Sequence, residues 1–329
     1  MLWECLGSPW PCIDIVKILT GLGTNPVVLP MPRSGTGPDP ASKEKEALET
    51  ALVLFQCPDQ TGLIARLSGL VHGHGGNILS LDQHSTAPEG GTFFMRLEFR
   101  FDPELVAFQV LKQELAALAG QLGALWSIRT RGQRLRCGLL VSAQLHCLTD
   151  LLYRLDAGEL DLDLAVVLSN HGDARRWADQ AKVPFVLLPT GPQGREEAET
   201  LILRHAADTD FLVLARFMQI LTPAFLQAYG RDIINIHHSF LPSFKGAQPY
   251  QQAYDRGVKL IGATAHFVTG DLDEGPIIEQ VVARVSHRDD PEALRRKGRD
   301  LERMALAHTV GAYASHRVLR HRNKTIVFD

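Results

Sequence analysis

Between residues 48 and 131 the apolar positions change period in an order that predicts β-α-β-β-α-β. Leu52-Val53-Leu54-Phe55 reads as a strand, and Pro58-Asp59-Gln60-Thr61-Gly62 as the turn leaving it. Leu63, Leu67, Leu70 and Val71 then share one helical face, which His74-Gly75-Gly76 ends before the strand Asn77–Leu81. After the turn Pro88-Glu89-Gly90-Gly91, Phe93, Met95, Leu97, Phe99 and Phe101 alternate with Phe94, Arg96, Glu98 and Arg100, the period of a strand. A second helical stripe runs through Leu105, Phe108, Leu111, Leu115, Leu118 and Leu122, and Leu125-Trp126-Ser127-Ile128 closes the unit.

A short basic linker, Arg129 to Arg136, leads into a different rhythm. Apolar strand-like runs recur at 135–141, 164–168, 185–188, 211–214 and 233–236, with helix-compatible segments between them. That spacing predicts β-α-β units and a mostly parallel sheet covered on both faces. The rhythm then shifts to a Pro/Gly-rich loop, a helix near 248–256, strands at 261–268 and 277–285, and a long helix. Asp289-Asp290-Pro291 suits that last helix start, because acidic caps and proline at the first position are favoured there. The expected organisation is an extension over 1–46, one domain over 47–131 and a larger one over 134–329. Residues 1–46 carry Pro26, Pro30, Pro32, Pro38 and Pro40 and read as flexible, with a short helix near the start.

Composition narrows the classes. With 34 basic and 37 acidic residues, the chain of 329 has no charge surplus that calls for nucleic acid or a membrane surface. The run Ile13–Leu22 carries Asp14 and Lys17 and is too short to span a bilayer. Five cysteines at scattered positions, Cys57 and Cys137 among apolar strands, read as buried thiols in a reduced, cytoplasmic protein. The basic surplus beyond Arg284 reads as a solvated helix face rather than an RNA site.

Candidate chemistry concentrates at Ile233-Ile234-Asn235-Ile236-His237-His238-Ser239-Phe240-Leu241-Pro242. Alternation puts Asn235 and His237 on one side of a strand, at its carboxyl end, where open α/β sheets bind ligands. Leu272-Asp273-Glu274-Gly275-Pro276 adds a carboxylate on a turn. An amide, an imidazole and a carboxylate suffice for attack on a carbonyl carbon. A histidine in this setting is otherwise a hydrogen-bonded structural residue. A metal is a minor reading, since adjacent His237 and His238 should face opposite ways on a strand and no cysteine pair lies nearby.

Two stretches carry resemblances. Pro58–Ile64 and Gly75-Gly76-Asn77-Ile78, within the β-α-β-β-α-β unit, resemble an ACT domain, a ferredoxin-like module that commonly binds amino-acid effectors. The resemblance implies an effector such as glycine or methionine near Asp59, Gly62, Gly76 and Asn77. The segments 215–221, 235–242 and 266–276 resemble the Rossmann-like formyltransferase domain that uses 10-formyltetrahydrofolate. Together the two halves are similar to the formyltetrahydrofolate deformylase family, over roughly 48–329, and His238 and Phe244-Lys245-Gly246-Ala247 sit closer to that family than to its transferase relatives. Gln248 and Gly270 depart from the charged residues expected there.

That family implies hydrolysis of 10-formyltetrahydrofolate to formate and tetrahydrofolate, supplying purine biosynthesis and balancing one-carbon pools. It implies Asn235, His237 and Asp273 as the catalytic trio, and Arg216, Phe217, Met218, Gln219, Ile220, Leu221 and Lys245 as the folate pocket. Folate is then the substrate, with no separate cofactor or metal, and a homo-oligomer is expected. Without the resemblance, 217–221 reads equally as the start of an amphipathic helix. The rival enzyme passes formyl to an amine. Against it, Val141-Ser142-Ala143-Gln144-Leu145-His146-Cys147 lacks the glycines of a phosphate cradle. A non-catalytic folate or amino-acid sensor is the alternative outside enzymes.

Overall fold

The computed structural model describes residues 48–87, 89–104, 108–191, 194–242 and 249–329. The readings placed on the extension, on Pro88, on Leu105 and on the 243–248 loop with Phe244, Lys245 and Gln248 fall outside them.

The first unit follows the predicted order: β1 (Glu49–Pro58), α1 (Leu63–Gly73), β2 (Asn77–Ser85), β3 (Thr92–Phe101), α2 (Phe108–Leu122) and β4 (Leu125–Thr130). Its sheet is antiparallel in the order β2-β3-β1-β4. Ala51, Val53, Phe55 and Cys57 alternate inward with Met95, Leu97 and Phe99 against Leu67, Val71, Leu111 and Leu115 of the helices. That is the face the alternation predicts.

The opposite face is covered as well. Leu54 and Phe94 pack against Leu319, Ile326 and Phe328 of the C-terminal hairpin, β12 (Val318–His321) and β13 (Lys324–Val327) in the chain's numbering of strands. Arg96 and Glu98 are buried on this face and pair at 3.2 Å. The basic linker is shorter than expected, because Arg129 belongs to β4 and points inward, donating from Nε to His316 Nδ1 at 3.0 Å. Burial, reinforced by the Arg129 charge, pushes His316 down to about 3, so it stays neutral.

The second unit is a seven-stranded sheet in the order β11-β10-β9-β8-β5-β6-β7, from β5 (Leu135–Val141), β6 (Leu162–Ser169), β7 (Phe185–Leu187), β8 (Phe211–Ala215), β9 (Asp232–His237), β10 (Leu260–Phe267) and β11 (Ile277–Arg284). The first five strands pair in parallel, and β10 runs antiparallel to both β9 and β11. Period two divides the core: Leu139, Val141, Val213 and Ile234 bury on one face, Leu140, Leu168, Leu212 and Ile233 on the other. Helices α3 (His146–Asp156), α4 (Arg175–Gln180), α5 (Arg195–His205), α6 (Pro223–Tyr229), α7 (Pro249–Asp255) and α8 (Pro291–Ala314) supply the layers. Asp290 caps α8 by accepting from the Ala293 N–H at 2.7 Å, with Pro291 at the first position, as the sequence suggests.

The basic C-terminal segment is only partly a solvated face. α8 buries Leu294, Leu301, Glu302, Leu306 and Val310, and the Arg320 guanidinium lies over the Phe267 ring. No helix among the described residues is long and apolar enough to cross a membrane. Cys57, Cys137 and Cys147 are free and buried.

Candidate active site

β9 sets the site. Pairing with antiparallel β10 places Asn235 opposite His266 and His237 opposite Thr264. The chain leaves β10 at Phe267 and turns back at Gly275-Pro276, where the Phe267 N–H donates to the Pro276 carbonyl at 2.9 Å. Asp273, in the left-handed region at φ 56°, is thereby carried over the strand ends.

The sequence-predicted trio converges. His237 Nδ1 lies 3.3 Å from Asp273 Oδ2, and Asp273 Oδ1 lies 3.7 Å from His266 Nε2. The contact with His237, and then the nearby His266 ring, hold the Asp273 carboxyl well below the usual carboxylate range, against the opposing pull of burial. His266 Nδ1 donates to the Phe267 carbonyl at 2.9 Å, which leaves Nε2 to accept from the Asn235 amide at 3.2 Å. One Asn235 N–H remains for a ligand. With Nδ1 turned to Asp273, His237 presents a buried Nε2 that has no hydrogen-bond partner. An acceptor nitrogen of that kind beside a fixed carboxylate is arranged to move a proton.

These groups line a cleft of about 320 Å³, together with Arg216, Phe217, Met218, Gln219, Ile220 and Leu221. The predicted folate-pocket residues that the structure describes are therefore gathered with the trio. The helical alternative for 217–221 is overturned. Arg216 and Met218 both sit at positive φ (64° and 58°), which a right-handed helix does not accommodate, and α6 begins only at Pro223, capped by Thr222.

One expectation needs correcting. His238 does not turn away from His237: β9 ends at His237, alternation stops, and the two rings lie 5.1 Å apart in the same cleft. Burial, with the Arg216 and His237 charges added, pushes His238 down to about 4.

Glu302 and Tyr250 were not singled out by the sequence, and His266 was given no role. Glu302 of α8, almost fully buried, accepts from His146 Nε2 and Tyr250 Oη, each at 2.8 Å, and Arg216 Nε lies 3.5 Å from it. Burial raises the Glu302 carboxyl, but His146 and the Arg216 charge outweigh it and leave the group lowered. Ligand atoms of His146, Cys147 and Glu302 fall within 4.8 Å of one another. The carboxylate is occupied by its hydrogen bonds and burial pushes the Cys147 thiol well up, which suits a polar cluster better than a cation site. His266 stood in a quoted motif, and its place opposite Asn235 is the signal that would have found it.

The effector candidates are not brought to one place. Asp59 and Gly62 precede α1, whereas Gly76 and Asn77 follow it, about 16 Å of helix away. Asp59 accepts from Ser85 Oγ. Gly76 has a packing reason to be glycine, since a Cβ there would lie 2.6 Å from Val71 Cγ1.

Comparison with known proteins extends the geometry. The ACT domain model matches residues 51–116, and the formyl transferase model matches 135–310. The formyltetrahydrofolate deformylase of Bacillus subtilis (strain 168) is 46% identical over 279 residues, covering 84% of this chain and 93% of that protein. The crystal structure of the Pseudomonas syringae formyltetrahydrofolate deformylase superposes with a TM-score of 0.80 at 42% identity, over 88% of this chain and 98% of that one. That of Burkholderia mallei gives 0.80 at 39% identity, over 85% and 100%. With both halves matched in order and these relatives covered nearly end to end, the chain belongs to the formyltetrahydrofolate deformylase family.

Proposed function

We propose that this chain hydrolyses 10-formyltetrahydrofolate to formate and tetrahydrofolate, and that Asn235, His237 and Asp273 carry the reaction. The observation that supports the roles is His237, held at Nδ1 by Asp273 and open at Nε2 toward the cleft. His237 Nε2 takes a proton from water as its oxygen bonds to the formyl carbon. The Asn235 amide donates to the oxyanion that develops. As the C–N10 bond breaks, the proton returns from His237 to N10. The ionised Asp273 keeps the imidazole oriented and stabilises it while protonated. Folate is the substrate, and the reaction as drawn calls on no further cofactor.

Water as acceptor fits the stretch after β5. Ser142 Oγ donates to Asn170 Oδ1 at 2.7 Å and His146 is bound to Glu302, so both polar groups are engaged internally. Purified protein is expected to release formate and tetrahydrofolate from 10-formyltetrahydrofolate with no acceptor added. Formate seen only when an amine is supplied, or formyl recovered on that amine, defeats the hydrolase reading.

The ACT domain's effector is proposed to be an amino acid such as glycine or methionine. Because Asp59 and Gly62 sit at the opposite end of α1 from Gly76 and Asn77, contact with both pairs needs two copies of the domain, in keeping with a homo-oligomer. The buried free thiols accord with a cytoplasmic setting. Calorimetric titration with glycine and methionine should show binding and altered turnover. Heatless titrations across the common amino acids would leave the domain only an assembly role.

A further inference from the structure

A second cavity, about 540 Å³ in volume, shares Arg216, Met218 and His238 with the folate cleft. Its charge is lopsided. Arg216, Arg295 and Arg299 face it, and Glu302 is the one carboxylate among its described walls. Glu302 is already satisfied by His146 and Tyr250. Arg216 Nε stands 3.5 Å from it, yet Nε and Nη1 are buried and make no hydrogen bond. Buried guanidinium donors are rarely left unused, so these are directed at something that visits the site.

The outer wall repeats the pattern. Arg295, Arg299 and Glu302 recur at i, i+4 and i+7 along one face of α8. Neighbouring cations on the helix are paired: Arg296 with Glu292, Lys297 with Asp289, Arg303 with Asp300. Arg295 and Arg299 are exposed and have no acidic partner among the described residues. A buried guanidinium whose Nε and Nη1 make no hydrogen bond, at the catalytic end, thus leads to two exposed ones without an acidic partner among the described residues at the solvent end.

Resting on the hydrolase reading, we propose that this cavity is the exit for the product formate. Hydrolysis converts a neutral formyl group into a small carboxylate at the inner end of a cleft still occupied by tetrahydrofolate. Arg216 takes that carboxylate as a charge-assisted, planar partner. Arg295 and Arg299 then draw it outward past His238, whose ring is neutral near pH 7 and adds no charge to hold it. Formate therefore leaves before tetrahydrofolate, and by a different door.

Order of release is read from product inhibition with water in constant excess. Tetrahydrofolate should compete with 10-formyltetrahydrofolate, and formate should inhibit non-competitively. The reverse assignment, or competition by both, overturns the proposal, because formate would then share the folate cleft. Sodium formate titrated into the resting protein, followed by ¹³C line broadening against sodium chloride at equal ionic strength, gives a second readout that needs no turnover. The Arg295→Gln/Arg299→Gln double variant should lose about three- to tenfold in formate affinity, the scale of two exposed charges. Unchanged affinity removes the arginines from the route. Failure of the hydrolase reading would show separately, as no formate release without an acceptor.

Discussion

Alanine in place of His237 is expected to lower turnover about a hundred- to ten-thousandfold, the usual worth of a positioned proton-transfer group. Among the described cleft residues, His237 is the histidine whose Nε2 is buried without a hydrogen-bond partner beside a fixed carboxylate. His266 commits its Nε2 to Asn235, and His238 stands beside the cationic Arg216. Asn235→Ala should cost about a hundred- to a thousandfold by removing one oxyanion donor. Asp273→Ala leaves the imidazole unheld and should also lower turnover greatly. Folding and folate binding should survive largely intact in all three, since the side chains line a loop-walled strand end rather than the apolar core. Rates, tetrahydrofolate binding and thermal unfolding measured together test this. Near-normal turnover in His237→Ala would take the residue out of the mechanism.

A single methyl group at Gly275 is expected to do comparable damage by another route. A Cβ there would stand 1.8 Å from the Phe267 carbonyl oxygen, a backbone atom that cannot swing aside. The same two segments are tied by the Phe267–Pro276 hydrogen bond, so Gly275→Ala must spread the turn that carries Asp273. Forced backbone shifts of this kind cost about 1–3 kcal/mol in stability. Displacing Asp273 by even an ångström costs about a hundredfold in rate. Gly270→Ala is the control, because a Cβ there meets nothing within 4 Å. If Gly275→Ala turns over like wild type, the turn does not position Asp273.

Local patterns made much of this legible. Period two along Ile233–His237 places Asn235 and His237 together because a strand enforces it, and the structure keeps them together. The same rule misplaced His238, since the strand stops one residue earlier. Residues 217–221 were ambiguous because their composition suits a helix, while the positive φ at Arg216 and Met218 is a property of backbone that composition does not carry. Glu302 lay hidden in a basic helix. Its partners His146 and Tyr250 are 156 and 52 residues away, and only the sheet's closure brings them near. Arg96 and Glu98 alternated with apolar neighbours as an ordinary polar face would. Their burial depends on a hairpin more than two hundred residues downstream.

That hairpin bears on how the protein is made. Leu54 and Phe94 of the ACT sheet find their cover in Leu319, Ile326 and Phe328, more than two hundred residues downstream. Through synthesis of everything between, a flat apolar patch on the N-terminal sheet waits in solvent, the kind of transient exposure that invites aggregation or a chaperone. Cover for the ACT sheet is thus deferred to strands translated more than two hundred residues later, and a chain stalled or clipped before them would carry a folded but sticky sheet.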